Sequence, residues 1–326
     1  MAKCTICGKR AVIRLHYARI NLCKDHFIQY YEKRVKETIE RYKLISRGEL
    51  VAVALSGGKD SQALLYVLAK LSEELGFSIL GLHIDLGIGE YSRLAENAVR
   101  SLCRDTGIRL VVVRLQDVLG MQLPDIALKS RRPPCSVCGL LKRYFINLVA
   151  LKAGADKVAL GHHLDDLSTY AMKSILMRDY DALKKLGPES SPIEGMGVSR
   201  VRPLYLTSER ENLAYVLLKG IPFVKNRCPF FSSKVINTEI RNFLSNLDLR
   251  HPGTKINFMK GIARDLIPSL PQKIEKVIPC KYCGMPSRDG VCGFCRLTKR
   301  LLGSPKGPEA SSYVEELIKS PKMSSS

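Results

Sequence analysis

The sequence predicts an α/β protein: a doubly wound parallel sheet flanked by an amino-terminal and a carboxy-terminal cysteine knuckle. Three observations carry that expectation. Apolar strand-like runs alternate with amphipathic helical stretches from Leu50 to Leu160, a glycine-rich turn joins the first such strand to its helix, and seven of the eleven cysteines form two tightly spaced sets outside this region. At 326 residues the chain can bury a substantial core, and its length suggests roughly two domains with small attachments.

In chain order, residues 1–26 read as a compact cysteine–histidine knuckle, followed by a helix from Phe27 to about Ile45. The body, residues 27–270, starts with LVAVAL (Leu50 to Leu55), a buried strand, then SGGKDS as a turn and Ser61 to Leu75 as an amphipathic helix. Ser78 to Asp85 is a second strand, Ser92 to Asp105 a helix, Arg109 to Leu115 a third strand, and Lys157 to Leu160 a fourth after a helix near Cys138 to Lys152. Such alternation argues for a parallel sheet wrapped by helices. The Gly/Pro/Ser-rich stretch 182–205 reads as a flexible loop, with helical segments resuming through about Leu270. Residues 271–302 hold the second knuckle, and 303–326 read as a disordered tail. The two knuckles are not close copies, so no internal repeat is expected. No apolar run approaches the ~18 residues of a membrane span, and the polar start MAKCTICGKR offers no secretory apolar core. A cytoplasmic protein without a membrane partner is expected.

The turn SGGKDS carries the strongest chemical signal. Gly57 and Gly58 let the backbone pass close to a phosphate, and the following helix start offers unpaired N–H groups and a positive dipole end. Ser56 and Ser61 add hydroxyl donors, Lys59 adds charge, and Asp60 is placed to help hold Mg2+. The spacing differs from that of a Walker A loop and resembles the PP-loop of ATP pyrophosphatases, which cleave ATP between its α and β phosphates. In a doubly wound sheet, ligands sit beyond the carboxyl ends of the strands where strand order reverses. His83 and Ile84, at the end of the second strand, and GHHLDD (Gly161 to Asp166), after the fourth, then share the crevice with the turn. Taken alone, His83 reads as an ordinary strand-end histidine.

Cys135 and Cys138 form CSVC at a helix entrance, and Lys142 shares a helical face with Cys138. Cys228 is distant in sequence. This set is open to three readings: a redox pair, half a zinc site with a core cysteine elsewhere, or an iron–sulfur anchor. Three thiolates around a four-iron cluster would leave one iron open to sulfide. The competing chemistry is a persulfide on one cysteine resolved by a disulfide with another. Cys103, on a helix, reads as packing.

Cys4, Cys7, Cys23 and His26 give CxxC…CxxH, and Cys280, Cys283, Cys292 and Cys295 give two CxxC pairs. Each set supplies four soft ligands from two tight turns, suited to a closed structural zinc site. The formal net charge is +21. Metal–thiolate charges at these two zinc sites and at a three-cysteine cluster would bring it to about +17, still the balance of a protein that binds a polyanion such as nucleic acid.

Together, CxxC…CKDH, SGGKDS, GLHIDLGIGEYS, CSVCGLLKR and the carboxy-terminal Cys4 knuckle resemble the TtuA-type family of tRNA 2-thiolation enzymes, over nearly the whole chain through Cys295. The resemblance implies that 27–270 is a PP-loop ATPase domain of the adenine nucleotide α-hydrolase type. It implies zinc at both knuckles and a 4Fe–4S cluster on Cys135, Cys138 and Cys228. It further implies ATP contacts at Ala54, Leu55, Ser56, Asp60, Ile84, Lys142 and Gly161, with Lys142 and Asp166 as the catalytic pair. Gly57, Gly58, Lys59, Ser61, His83 and Asp165 join the nucleotide-binding expectation. The implied partners are tRNA and a ubiquitin-like sulfur carrier ending in a thiocarboxylate, and a homodimer is allowed. One departure matters: the family often reads GHNLDDEA where this chain reads GHHLDDLS, so Leu167 replaces an acid and the Mg2+ ligands are left open.

The chemistry implied is a 2-sulfurtransferase reaction. Attack of a uridine C2 oxygen on the α phosphate turns that oxygen into part of AMP, a good leaving group, and sulfur then replaces it. The GIGEYS stretch and the Cys135 region favour T-loop uridine 54; a second branch with the same layout acts on wobble uridine 34. Two other classes share parts of the pattern: an adenylating tRNA ligase, which needs no cysteine trio, and a non-catalytic zinc-ribbon RNA-binding protein with an idle nucleotide fold.

Overall fold

The computed structural model describes residues 2–191, 196–231, 236–271 and 277–320. The amino-terminal knuckle is built on an antiparallel hairpin, β1 (Ile13–Leu15) and β2 (Ile20–Leu22), and Cys23 caps the helix that follows, α1 (Lys24–Arg41). That helix starts three residues earlier than its apolar periodicity suggests, so His26 lies in its first turn. The body then runs β3 (Leu50–Leu55), α2 (Lys59–Leu75), β4 (Ser78–Asp85), α3 (Gly89–Thr106), β5 (Leu110–Arg114), α4 (Leu115–Leu119), α5 (Leu123–Ser130), α6 (Pro134–Lys152) and β6 (Lys157–Ala159). It continues through α7 (Leu164–Leu176), α8 (Tyr180–Lys184), β7 (Glu189–Ser190), β8 (Ser199–Val201), α9 (Glu209–Lys219), α10 (Ile236–Arg250), α11 (Thr254–Gly261) and α12 (Ile267–Ser269). The second knuckle holds β9 (Ile278–Pro279), β10 (Pro286–Ser287) and α13 (Gly293–Leu302), and α14 (Gly307–Lys319) follows.

Six strands form one sheet in the order β5-β4-β3-β6-β8-β7, parallel except for β7, which runs antiparallel to β8. Strand order reverses at β3, which has β4 on one side and β6 on the other. A parallel sheet is covered on both faces, so its strands read as continuous apolar runs. β3 illustrates this: Val51, Val53 and Leu55 join the layer of α1, α2 and α9, while Ala52 packs with Ala150, Ala155 and Val158 toward α6. On the α6 side, Leu82, Ile84 and Val113 share a core with Leu141, Phe145 and Leu148, which also takes in Phe294 and Leu297 of the carboxy-terminal knuckle. Tyr144 stacks on Phe294 at 3.9 Å between ring centroids, fixing that knuckle against α6.

Three expectations need correction. The stretch 182–205 is not simply a loop, because β7 and β8 lie within it and widen the sheet; its residues 192–195 lie outside the described residues. The expected tail, 303–326, contains α14, whose Ala310 and Val314 are fully buried. Gly307 opens that helix so close to the knuckle that a Cβ there would lie 2.5 Å from Cys295 Sγ and 2.6 Å from Cys283 Cβ. Residues 321–326 lie outside the described residues. Finally, α6, 19 residues long, is apolar enough by length and composition to span a membrane. Its Leu141, Phe145, Leu148 and Val149 are sealed in the core, which accounts for that composition.

Candidate active site

The turn after β3 closes on itself through hydroxyls. Ser56 N–H donates to Ser61 Oγ at 3.1 Å, Gly58 N–H donates to Ser56 Oγ at 3.3 Å, and Ser61 Oγ donates to the Gly58 carbonyl at 3.0 Å. Gly57 has φ +78°, and a Cβ on it would meet the Ala95 Cα at 2.7 Å. Both the left-handed backbone and the approach of α3 therefore require glycine. Gly161, at the end of β6, sits against the same helix start, since a Cβ there would lie 3.1 Å from Ser61 N. Ala54 and Leu55 finish β3, and Ile84 lies at the end of β4 beside them. Gly57→Ala is expected to cost about 1–3 kcal/mol of stability through backbone strain and to weaken ATP binding. Thermal denaturation with and without ATP measures both.

His83 is 3% exposed, and its Nδ1 lies 2.9 Å from the Leu55 carbonyl. A carbonyl only accepts, so Nδ1 carries the proton and Nε2, with no partner among the described residues, is a bare acceptor. Burial holds the imidazole below its ordinary value, outweighing the pull of the Leu55 carbonyl, Glu96 and Asp85, and Lys142 adds to the lowering. Lys142 thus lies within electrostatic range of the strand end while also facing Cys138. Burial pushes the Cys138 thiol up; Lys142 opposes this by charge and hydrogen bonding, and Cys228 and Cys135 reinforce it. Burial also raises Tyr91, on α3, with Cys228 and Cys138 contributing next. Cys135 Sγ donates to the Phe230 carbonyl at 3.6 Å. The segment bearing Cys228 is anchored on the phosphate turn, where Val224 N–H donates to the Gly57 carbonyl at 2.9 Å. Two cysteines on a helix start, a third ninety residues away, Lys142 and the glycine turn therefore border one crevice. Pro134 at the head of α6 suits a helix start, where no N–H partner is needed.

On the far side of the turn lies a network of opposed charges. Lys59 Nζ bridges Asp60 at 3.1 Å and Glu209 at 2.8 Å. Arg241 pairs with Glu209 at 2.9 Å and with Asp166, and Lys255 pairs with Asp165. Asn212 donates to Asp60 at 3.0 Å, and His163 Nε2 lies 3.3 Å from Asp166 and 3.7 Å from Asp60. Asp165, 7% exposed, would be raised by burial, but Lys255 and the Glu209 N–H hold it below its ordinary value. Leu167, where the family pattern has an acid, is buried at 1% exposure. Glu209, at the head of α9, adds a further carboxylate to this network. Sequence reasoning missed Glu209, Arg241 and Lys255. The capping box Ser208–Glu211 marks the start of α9 and was legible, whereas its placement beside Lys59 depends on tertiary folding.

The two knuckles differ from the cysteine trio in scale. In each knuckle all four ligand atoms lie within 4.8 Å of one another, and among the described residues no other such group exists. Four sulfurs ~2.3 Å from a tetrahedral zinc would stand about 3.8 Å apart. The observed separations are 3.8 Å for Cys7–Cys23, 3.7 Å for Cys283–Cys292 and 3.5 Å for Cys295–Cys283. His26 turns Nδ1 toward Cys4 at 3.6 Å and Cys23 at 3.3 Å. Burial opposes ionisation of Cys4, yet the backbone N–H groups of Cys23, Cys7 and Ile6 together bring its thiol down to about 6. Both sites fit a single soft, tetrahedral ion, whereas Cys135, Cys138 and Cys228 are spread more widely.

Comparison with known proteins follows this anatomy. The PP-loop domain matches residues 28–245, and the family described as 2-thiouridine synthetase TtuA, N-terminal LIM domain, matches residues 3–28. The tRNA-5-methyluridine(54) 2-sulfurtransferase of Pyrococcus horikoshii is 40% identical over 90% of this chain and 93% of its own. Cytoplasmic tRNA 2-thiolation protein 1 of Bos taurus is 30% identical over 90% of this chain and 86% of its own. The solved U34-tRNA thiolase NcsA from Methanococcus maripaludis, with its 4Fe–4S cluster, superimposes with a TM-score of 0.78 at 29% identity, covering 92% of this chain and 97% of its own. The chain belongs to the PP-loop family of tRNA 2-sulfurtransferases.

Proposed function

We propose that the protein replaces the C2 oxygen of uridine 54 in the tRNA T-loop with sulfur, in the cytoplasm and at the expense of ATP. The observation that carries this is the shared crevice: Cys228 is tied through Val224 to Gly57, and Cys138 and Lys142 face it from α6. ATP would lie with its phosphates on the Ser56–Ser61 turn, where fixed N–H donors and Lys59 stabilise charge as pyrophosphate leaves. Lys142, beside the neutral His83, is placed to hold the α phosphate as the uridine oxygen attacks it. The P–O bond to pyrophosphate breaks, an oxygen–phosphorus bond to the base forms, and sulfur added at C2 then displaces AMP. Asp166, held by Arg241 and close to His163, would orient the reacting nucleotide. Mg2+ would be held by Asp60 and Asp166, hard oxygen donors that His163 already brings near each other.

A 4Fe–4S cluster on Cys135, Cys138 and Cys228 would supply an iron without a protein ligand, open to sulfide. The wide spacing of these thiols suits a group larger than one ion. Zinc on the two knuckles has a structural role, since all four positions are taken by protein ligands. The sulfur would come from a ubiquitin-like carrier protein ending in a thiocarboxylate. Position 54 is favoured because the 40% identical relative is named for it, whereas the solved U34 thiolase is 29% identical.

The test is to map 2-thiouridine by mass spectrometry of nuclease fragments of tRNA from cells lacking the gene. Loss of the 2-thio group at position 54 alone is expected. Loss at position 34 would overturn the position, and unchanged tRNA would overturn the thiolation reading.

A further inference from the structure

A second concentration of positive charge lies behind the cysteine crevice. A cavity of about 390 Å³ opens between α6, the β7–β8 edge and the carboxy-terminal knuckle, lined by Arg143, Lys185, Arg200 and Arg202 among others. Arg200 is in register with Val158, on the α6 side of the sheet. Arg202 is 6% exposed and donates to the carbonyls of Gly187 at 2.6 Å and Lys185 at 2.8 Å, which leaves its Nε buried with no partner among the described residues. Among the described residues, no carboxylate lies within 4.0 Å of Arg143, Arg200 or Arg202. This contrasts with the opposite side of the crevice, where Lys59, Arg241 and Lys255 are each paired with an acid. The cost of gathering these charges is visible in the groups themselves. Burial, then Arg200, lowers Arg202 to about 10, and burial, then Arg143, lowers Arg200. His162 is pushed down to about 4 by burial and then by Arg202. Arg202 is buried, Arg200 half-buried and Arg143 exposed at the mouth, and clustered like charges with no counter-ion among the described residues persist where an external anion completes the site.

We propose that Arg143, Arg200 and Arg202 seat a backbone phosphate of the RNA substrate. The guanidinium fork matches two phosphate oxygens at once, which suits this task better than a lysine point charge. Two features favour a polymer over the pyrophosphate product. The turn at Gly57 already provides for nucleotide phosphates. The cavity also opens into a larger groove of about 770 Å³ that shares Arg143 and Lys185 and adds Arg132 and Arg300, forming a basic path along the knuckle. The seat rests on the tRNA reading of the preceding section and adds to it the place where the backbone is held.

The experiment uses the full-length protein with a tRNA transcript, measuring Kd at several salt concentrations, and with inorganic pyrophosphate in a separate titration. Arg143→Gln and Arg200→Gln are each expected to weaken tRNA binding about tenfold, as loss of a charged hydrogen bond does. Each should reduce the slope of log Kd against log salt by about 1. Arg143→Lys should keep the slope and lose part of the affinity. Pyrophosphate binding and the melting temperature should match wild type; Arg202 is left intact because it also ties down the turn at Gly187. Wild-type tRNA affinity and slope in both glutamine variants would overturn the seat while leaving the tRNA reading in place. Weakened pyrophosphate binding with unchanged tRNA binding would assign the site to the product and overturn the proposal. A wild-type protein that fails to bind tRNA would overturn the reading and the seat together.

Discussion

Cys138→Ala is expected to leave zinc content and ATP affinity near wild type and to reduce tRNA thiolation below about a hundredth, since even changes to groups around metal ligands cost ~10–100-fold. Cys135→Ala and Cys228→Ala should behave alike, because both thiols lie within electrostatic range of Cys138 and none of the three belongs to either knuckle. Thiouridine formation, iron and zinc are measured together on each variant. Under the cluster reading all three variants lose iron as well as activity. Under the persulfide reading the wild-type protein needs no iron, and one cysteine alone carries the transferable sulfur. Full activity in all three variants would remove the trio from the chemistry. The stability cost should be small, since Cys135 is exposed and Cys138 and Cys228 are only half-buried.

The sheet was legible because its signals are local. β3 and β4 run as expected, Leu50–Leu55 and Ser78–Asp85, since β3 is an uninterrupted apolar run ended by Ser56 and β4 is apolar between Ser78 and Asp85 except at Gly81 and His83. The strands β7 and β8 were not legible. They are two and three residues long, carry Glu189, Ser190 and Arg200, and exist because β6 offers them an edge. The helix α14 had a readable signal in Pro308, Glu309 and the apolar positions 310, 314 and 317, but the polar end of the chain obscured it. The acid–base network shows a different limit. Glu209, Arg241 and Lys255 each lie on a helix where a lone charge reads as solvated, and only folding brings them to Asp165, Asp166 and Lys59.

Lys255→Met should destabilise the fold by about 3–5 kcal/mol, the cost of leaving one member of a buried ion pair without its partner. Lys255 and Asp165 are each 7% exposed. Asp165 accepts from Lys255 on α11 and from the Glu209 N–H at the head of α9 at 2.7 Å, so one carboxylate ties three helices together. Urea denaturation of the single variants and of Lys255→Met with Asp165→Leu measures the coupling. The double variant should recover most of the loss, because removing both charges leaves none stranded; equal losses in single and double variants would show that packing, not charge, dominates. The same pair fixes the acid limit. Lys255 and the Glu209 N–H hold the Asp165 carboxyl below its ordinary value, so its contribution is complete above the unfolded carboxylate pKa of about 3.9 and disappears as pH falls through the lower folded value. Lys255→Met removes the partner that opposes burial. Loss of stability should therefore begin at a higher pH in that variant than in wild type, and a curve of unchanged shape would mean that Asp165 is held by the amide alone.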